Sequence, residues 1–110
     1  MKETREFFDP KDLPWRSAPG YPAGVWEQII AGGVDEGVKT RFLRFEPGAG
    51  NDGVITHDFW EEIFIVSGTL ESDGHLYRAG SVAVRPPGMP HGPFRSPAGC
   101  LLFEIRYRVG

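Results

Sequence analysis

The sequence contains a single cysteine, Cys100, which excludes an intrachain disulfide framework and a zinc site built from cysteines. It also lacks an excess of positive charge. Twelve Lys and Arg stand against 15 Asp and Glu, for a formal net charge of -3. A broad nucleic-acid surface needs a basic excess, so nucleic acid is not an expected partner. No apolar run approaches the ~18–20 residues of a membrane-spanning helix, so no membrane partner is expected either. The opening residues Met1-Lys2-Glu3-Thr4-Arg5-Glu6 lack the apolar centre of a secretion signal, and the expectation is a cytoplasmic protein. Long amphipathic helices with capping residues are missing as well.

What is present is an all-β pattern. The 110 residues are 40% hydrophobic, enough for one packed core in one domain. The 15 glycines and 10 prolines fall between short apolar runs and read as turn punctuation. Residues 1–22 stand apart: Phe7-Phe8-Asp9-Pro10, Leu13-Pro14-Trp15 and Pro19-Gly20-Tyr21-Pro22 alternate aromatics with prolines. Prolines withhold backbone donors, so this is no central strand. The segment is expected to be an arm lying across the domain or a neighbouring subunit, with residues 23–110 forming the single domain.

Strand signals begin at Val25–Ile30 and break at Gly32-Gly33 and Asp35-Glu36-Gly37. They resume over Val38–Glu46, stop at Pro47–Gly53, and return in Glu61–Ser67. Ser72-Asp73-Gly74 marks a hairpin, Ser81–Arg85 ends in Pro86-Pro87-Gly88, and Leu101–Val109 closes the pattern. Evenly spaced short strands with Gly/Pro turns predict a sandwich or barrel. In the last strand Leu101, Phe103, Ile105, Tyr107 and Val109 share one face, and Leu102, Glu104, Arg106 and Arg108 share the other. One face is core. The other is solvent, an interface or a polar cavity wall, and alternation alone does not choose. Arg41, Arg44, Arg106 and Arg108 are expected at the surface; an inward one would hold an acidic substrate.

The chemistry-bearing residues are few. Of the three histidines, His75 follows Asp73-Gly74 and reads as an exposed turn residue. His57 precedes Glu61 by one short link, Asp58-Phe59-Trp60. Glu61 opens the Ile/Phe/Val strand, where a carboxylate is costly unless paired or bound to a cation. Phe59 and Trp60 either line a pocket mouth or pack under the loop. Cys100 reads as a buried, inert thiol.

These residues resemble the cupin superfamily. Its second motif, G-x5-P-x-G-x2-H-x3-N, is matched by Gly80, Pro86, Gly88 and His91, with Arg95 in place of the final Asn. Its first, G-x5-H-x-H-x(3,4)-E-x6-G, is matched over His57, Glu61 and Gly68. Within the superfamily, Glu61-Glu62-Ile63, the Pro-Pro-Gly before His91 and Gly99–Leu102 look most like the cupin of ChrR-type anti-sigma factors and like stand-alone dioxygenase-like cupins. The resemblance implies a double-stranded β-helix, or jelly-roll, barrel and one divalent metal ion per chain: Fe, Zn, Mn or Ni. Residue by residue it transfers three ligands, His57, Glu61 and His91. Ile55 stands where the first motif histidine is expected, so it should wall the metal cavity beside Phe59 and Trp60.

Two imidazoles and a carboxylate are a facial ligand set for a divalent ion. The reading that follows is a metal-binding cupin acting on a small organic molecule, possible as a mononuclear dioxygenase-like enzyme, or as an isomerase or lyase with Glu61 as base. The alternative is a non-catalytic binding or sensing module with an incomplete site. A third, weaker reading is a metal-free relative of the sugar-nucleotide epimerases. An apolar arm and a barrel edge both predict a homodimer.

Overall fold

The computed structural model describes residues 2–33 and 37–109. In chain order its strands are β1 Arg16–Ser17, β2 Val25–Gly32, β3 Lys39–Phe45, β4 Gly50–Asn51, β5 Trp60–Ser72, β6 His75–Arg78, β7 Val82–Arg85, β8 Phe94–Arg95 and β9 Cys100–Tyr107. The Ile/Phe/Val-dense run thus becomes β5, which organises the molecule. Its first half pairs with β7 on one side and β9 on the other, and that sheet continues through β3 and β2 to β1. Its last residues pair with β6 and β8, and β8 pairs with β4. One strand therefore feeds two sheets, which curl together as the expected β-barrel.

The passage between sheets falls at Gly68. Its φ is 79°, in the left-handed region, and a Cβ there would run into the Gly99 carbonyl oxygen as β9 passes. Only glycine meets both conditions, which gives the motif glycine a steric reason. The β5–β6 hairpin forms where Ser72-Asp73-Gly74 predicted it. Asp73 and Gly74 have φ values of 50° and 80°, the double positive φ of a tight two-residue turn.

Alternation along the strands decides what enters the barrel. β3 sends Lys39, Arg41, Leu43 and Phe45 inward, and β9 sends Cys100, Leu102 and Glu104. Val25, Leu43, Phe45, Ile65, Leu70, Phe94, Cys100 and Leu102 form the apolar core. Burying each large side chain of this kind contributes roughly 1.5–3 kcal/mol. Burial also raises the Cys100 thiol pKa, as an inert thiol requires.

The more hydrophobic face of β9 is the outer one. Leu101, Phe103, Ile105 and Tyr107 are only half-buried there, and Phe103 meets Phe42 of β3 with ring centroids 5.2 Å apart. The expectation for the arginines is corrected in half. Arg41 is 1% exposed and Arg106 points inward, whereas Arg44 and Arg108 lie outside, on Trp15 and Asp58. Arg41 can enter because two carboxylates already wait for it, as described below.

The arm lies across its own barrel. Gln28 donates from its amide to the Pro10 and Leu13 carbonyls, at 2.7 and 3.1 Å. Arg16 and Ser17 pair with Glu27 and Trp26 as an edge strand, and Ala18 reaches the core. Two predicted turns differ in detail. The Pro47–Gly53 turn contains the short strand β4, because Gly50 can approach the β8 backbone where a Cβ would clash. Of the break after β2, Asp35 and Glu36 lie outside the described residues.

Candidate metal centre

His57, Glu61 and His91 come from three different stretches of chain, and backbone hydrogen bonds bring them together. Ile55 and His91 form an antiparallel bridge, with N–H to O distances of 2.8 and 3.0 Å. The Gly88 N–H donates to the His57 carbonyl at 2.8 Å. The Pro86–Met89 turn is thereby tied to the link before β5 that carries His57. Residues directly opposite in an antiparallel pair present their side chains on the same face, so Ile55 and His91 share a side.

Among the described residues, His57, Glu61 and His91 offer ligand atoms that all lie within 4.8 Å of one another. His57 Nε2 is 3.1 Å from Glu61 Oε2, and His91 Nε2 is 3.8 Å from Glu61 Oε1. The three are 13%, 2% and 6% exposed at the side chain.

The donor set suits a divalent ion. The His91 Nδ1 lies 3.0 Å from the Met89 carbonyl. Only a protonated Nδ1 can donate there, which leaves the Nε2 lone pair facing Glu61. By strict geometry neither buried ring nitrogen of His57 has a hydrogen-bond partner among the described residues, although the Phe59 backbone lies close enough to favour its protonated form. Burial first, then the charge of Arg106, push the His57 imidazole down to about 4. His57 is therefore neutral at pH 7, with an uncommitted lone pair beside a buried carboxylate. The Phe59 ring stacks on the His57 ring, centroids 4.1 Å apart and 11° from parallel, and holds its plane.

Sequence reasoning missed the cations around Glu61. Arg85 of β7, Glu61 of β5 and Arg106 of β9 are opposite one another in register across three strands. Arg85 Nη1 donates to Glu61 Oε1 at 2.7 Å, and Arg106 Nε lies 3.4 Å from Oε2. The chain of charge continues inward. Arg106 Nε lies 2.9 Å from Glu104 Oε1, and Arg41 Nε donates to that same oxygen at 2.7 Å. Arg41 Nη1 donates to Glu27 Oε1 at 2.7 Å, and Glu27 also meets Lys39 and Arg16. The inward period of β9 and β3 was the available signal; it ran through Glu104, Arg106 and Arg41.

The other named residues separate. Trp60 precedes Glu61 on β5 and so faces out, where it stacks on Tyr107 at 6.3 Å. It does not line the cavity, since strand alternation that turns Glu61 inward must turn Trp60 outward. Phe59 is buried against His57. Ile55 is half-buried and packs on the core. His75 is exposed at the start of β6.

The fold and this centre define a cupin. The sequence profile of the ChrR cupin-like domain matches residues 3–109, and the chain belongs to that family. An RmlC-like cupin from Shewanella frigidimarina superposes with a TM-score of 0.75 at 20% identity, covering 99% of this chain and 96% of that one. An acetylacetone dioxygenase from Acinetobacter johnsonii gives 0.75 at 17% identity, over 96% and 75%. The anti-sigma factor ChrR of Rhodobacter sphaeroides, solved in complex with SigE, gives 0.64 at 19%, over 88% of this chain and 50% of that chain. At these identities the likeness is one of fold. No curated protein matches the sequence.

Proposed function

We propose that this chain is a metal-binding cupin that acts on a small organic molecule, with dioxygenase-like chemistry as its leading activity. His57, Glu61 and His91 would hold one divalent ion, Fe, Zn, Mn or Ni. The observation that carries this is the convergence of two imidazoles on one buried carboxylate, with His91 held by Met89 in the tautomer that frees Nε2 and His57 neutral and largely buried. Such an ion supplies Lewis acidity and open coordination positions. The chain's own residues do the rest. Phe59 fixes the His57 plane, Arg85 and Arg106 hold the Glu61 carboxylate in place, and Ile55, on the His91 side, walls the centre with hydrocarbon. Glu61 would be the base that takes a proton from a bound molecule.

A second reading, a non-catalytic sensing module, is favoured by one observation. Arg85 and Arg106 compensate Glu61 without any ion, so the centre is electrostatically tolerable when empty. One structural neighbour, the anti-sigma factor ChrR, is solved in complex with a sigma factor. A homodimer is supported by the outer sheet face, where Phe64, Val66, Val82 and Val84 are 42%, 40%, 64% and 53% exposed. A cytoplasmic setting remains part of the proposal.

The test is anaerobic reconstitution with Fe(II), followed by oxygen-uptake measurements with β-diketones, the substrate type named by one structural neighbour. Metal-dependent uptake that disappears in His91→Ala supports the enzyme. A protein that binds the ion and consumes no oxygen with any β-diketone supports the sensing reading.

A further inference from the structure

After the β5–β6 hairpin the chain runs back along β5, and a bulge sets its phase. The Gly80 N–H donates to the Ile65 carbonyl at 2.8 Å, and the Ile65 N–H donates to the Ser81 carbonyl at 3.0 Å. Gly80 has a φ of 94°, which makes this a glycine bulge. Beyond it, hydrogen-bonded pairs alternate with non-bonded ones, as in any antiparallel ladder. Counting from Ile65, the bonded pairs are Ile63 with Ala83 and Glu61 with Arg85, in the register of β5 with β7. Val82 and Val84 therefore turn their N–H and C=O groups away from β5. Among the described residues β7 pairs with β5 alone.

That edge borders a groove of about 370 Å³, which is lined by residues 81–85 in an unbroken run, by the Met89–Gly92 turn and by Ile63, Ile65 and Leu70. The volume admits a small ligand or a few residues of single chain, and excludes a folded domain. Native edges are commonly blunted by charge, by proline or by shortness. Val82-Ala83-Val84 carries neither charge nor proline. At the other end of the same sheet the arm makes an edge of only two residues, Arg16–Ser17 on β2. The two edges are thus treated differently, and the one beside the groove is left able to pair. Main-chain donors and acceptors repeated every second residue are matched by another extended chain.

We propose that the groove is a strand-addition site for an extended segment of a partner protein. Residues of that segment opposite Val82 and Val84 exchange main-chain hydrogen bonds with them. The residues between send apolar side chains in among Ile63, Ile65, Leu70 and Ala83. The partner is thereby defined as a peptide with apolar residues at every second position. This site goes beyond the metal reading and does not depend on the ion.

The probe is a blocked hexapeptide alternating valine and threonine, with a terminal lysine for solubility. It is titrated into metal-free protein by calorimetry, beside one version N-methylated at the threonine nitrogens and another at the valine nitrogens. With valines inward, the threonine main chain faces Val82 and Val84. Methylation of the threonines should therefore cost at least tenfold in affinity, and methylation of the valines little. The Val82 and Val84 amide resonances should shift on binding. Val84→Pro, which removes a donor that β5 does not use, should also lose at least tenfold. Equal binding of the two methylated peptides, no binding of the parent peptide at millimolar concentration, or Val82 and Val84 amides that do not move would each overturn the proposal, even if Val84→Pro does not fold. Light scattering tests the rival occupant. A dimer that Val84→Pro converts to a monomer would give this edge to a second copy and overturn the proposal as well.

Discussion

The two ends of the barrel interior are built on the same strands and filled with opposite chemistry. Towards one end, Val25, Phe45 and Cys100 face Ile65, Leu70 and Leu102, and all are buried. Towards the other, β9 offers Glu104 and Arg106 where it had offered Leu102, β5 offers Glu61 where it had offered Ile63, and β3 offers Arg41 where it had offered Leu43. The cross-strand register turns these choices into rows: Ile63 beside Glu104 beside Arg41, then Arg85 beside Glu61 beside Arg106. Non-directional burial stabilises the apolar end. The charged end is held only by partners at matched positions, because each buried charge must be compensated where it stands. The difference teaches that burial alone holds the apolar end, while the charged end depends on each partner being in register.

The comparison is broken most severely by removing one partner at the charged end. Arg41→Met leaves Glu104 with Arg106 alone and weakens the hold on Glu27, and should cost about 3–5 kcal/mol in urea unfolding. Replacing Glu104 as well, in Arg41→Met/Glu104→Leu, should return much of that loss. A single variant as stable as the parent would mean the buried charges are not coupled. At the apolar end, Leu43→Ala leaves a cavity among well-packed neighbours, and about 3 kcal/mol should be lost by the same measurement. No second substitution of a charge should restore it.

The sequence made the apolar end readable, since turn residues and short apolar runs place β2, β3, β5 and β9 correctly. It also singled out His57, Glu61 and His91 at motif spacing, and these three side chains do converge as a candidate triad. The charged rows were not readable. Alternation along Leu101–Val109 separates two faces but does not say which is inside, and the face richer in Leu, Phe and Ile turned out to be the outer one. Arg41 and Arg106 resemble surface residues in one strand at a time. Only the pairing of β3 with β9 and of β9 with β5 shows that each has a carboxylate opposite or diagonal to it. Trp60 was misplaced by the same limit, since the phase of β5 is set by Glu61.

Tyr21 sits where the two ends meet and sharpens the contrast by pH. Its ring packs edge-on to Phe45, centroids 5.9 Å apart. Burial first, then the Glu104 charge, push its hydroxyl pKa up to about 12. Between pH 10 and 12 the unfolded chain loses this proton and the folded chain keeps it. Stability therefore falls as pH rises, and is intact below pH 10. Two pKa units correspond to about 2.7 kcal/mol. Unfolding free energies across this window should drop by an amount of that order, and Tyr21→Phe should remove the corresponding part of the slope. Equal slopes in parent and variant would place the hydroxyl in water.

Ile55→His carries the charged chemistry one position further, onto a residue that shares a side with His91. Competitive titration under anaerobic conditions should show Ni(II) or Zn(II) bound about ten to a hundred times more tightly, or about 1.4–2.7 kcal/mol. Unchanged or weaker affinity in a folded variant would mean Ile55 does not face the centre.

The most direct test of the central claim is elemental analysis after equilibration with one divalent ion and removal of the excess. The parent and His75→Ala should each retain one ion per chain, while His57→Ala and His91→Ala should retain almost none. Equal metal content in all four proteins would contradict the account, because the two prepared imidazoles would then have no part in holding the ion.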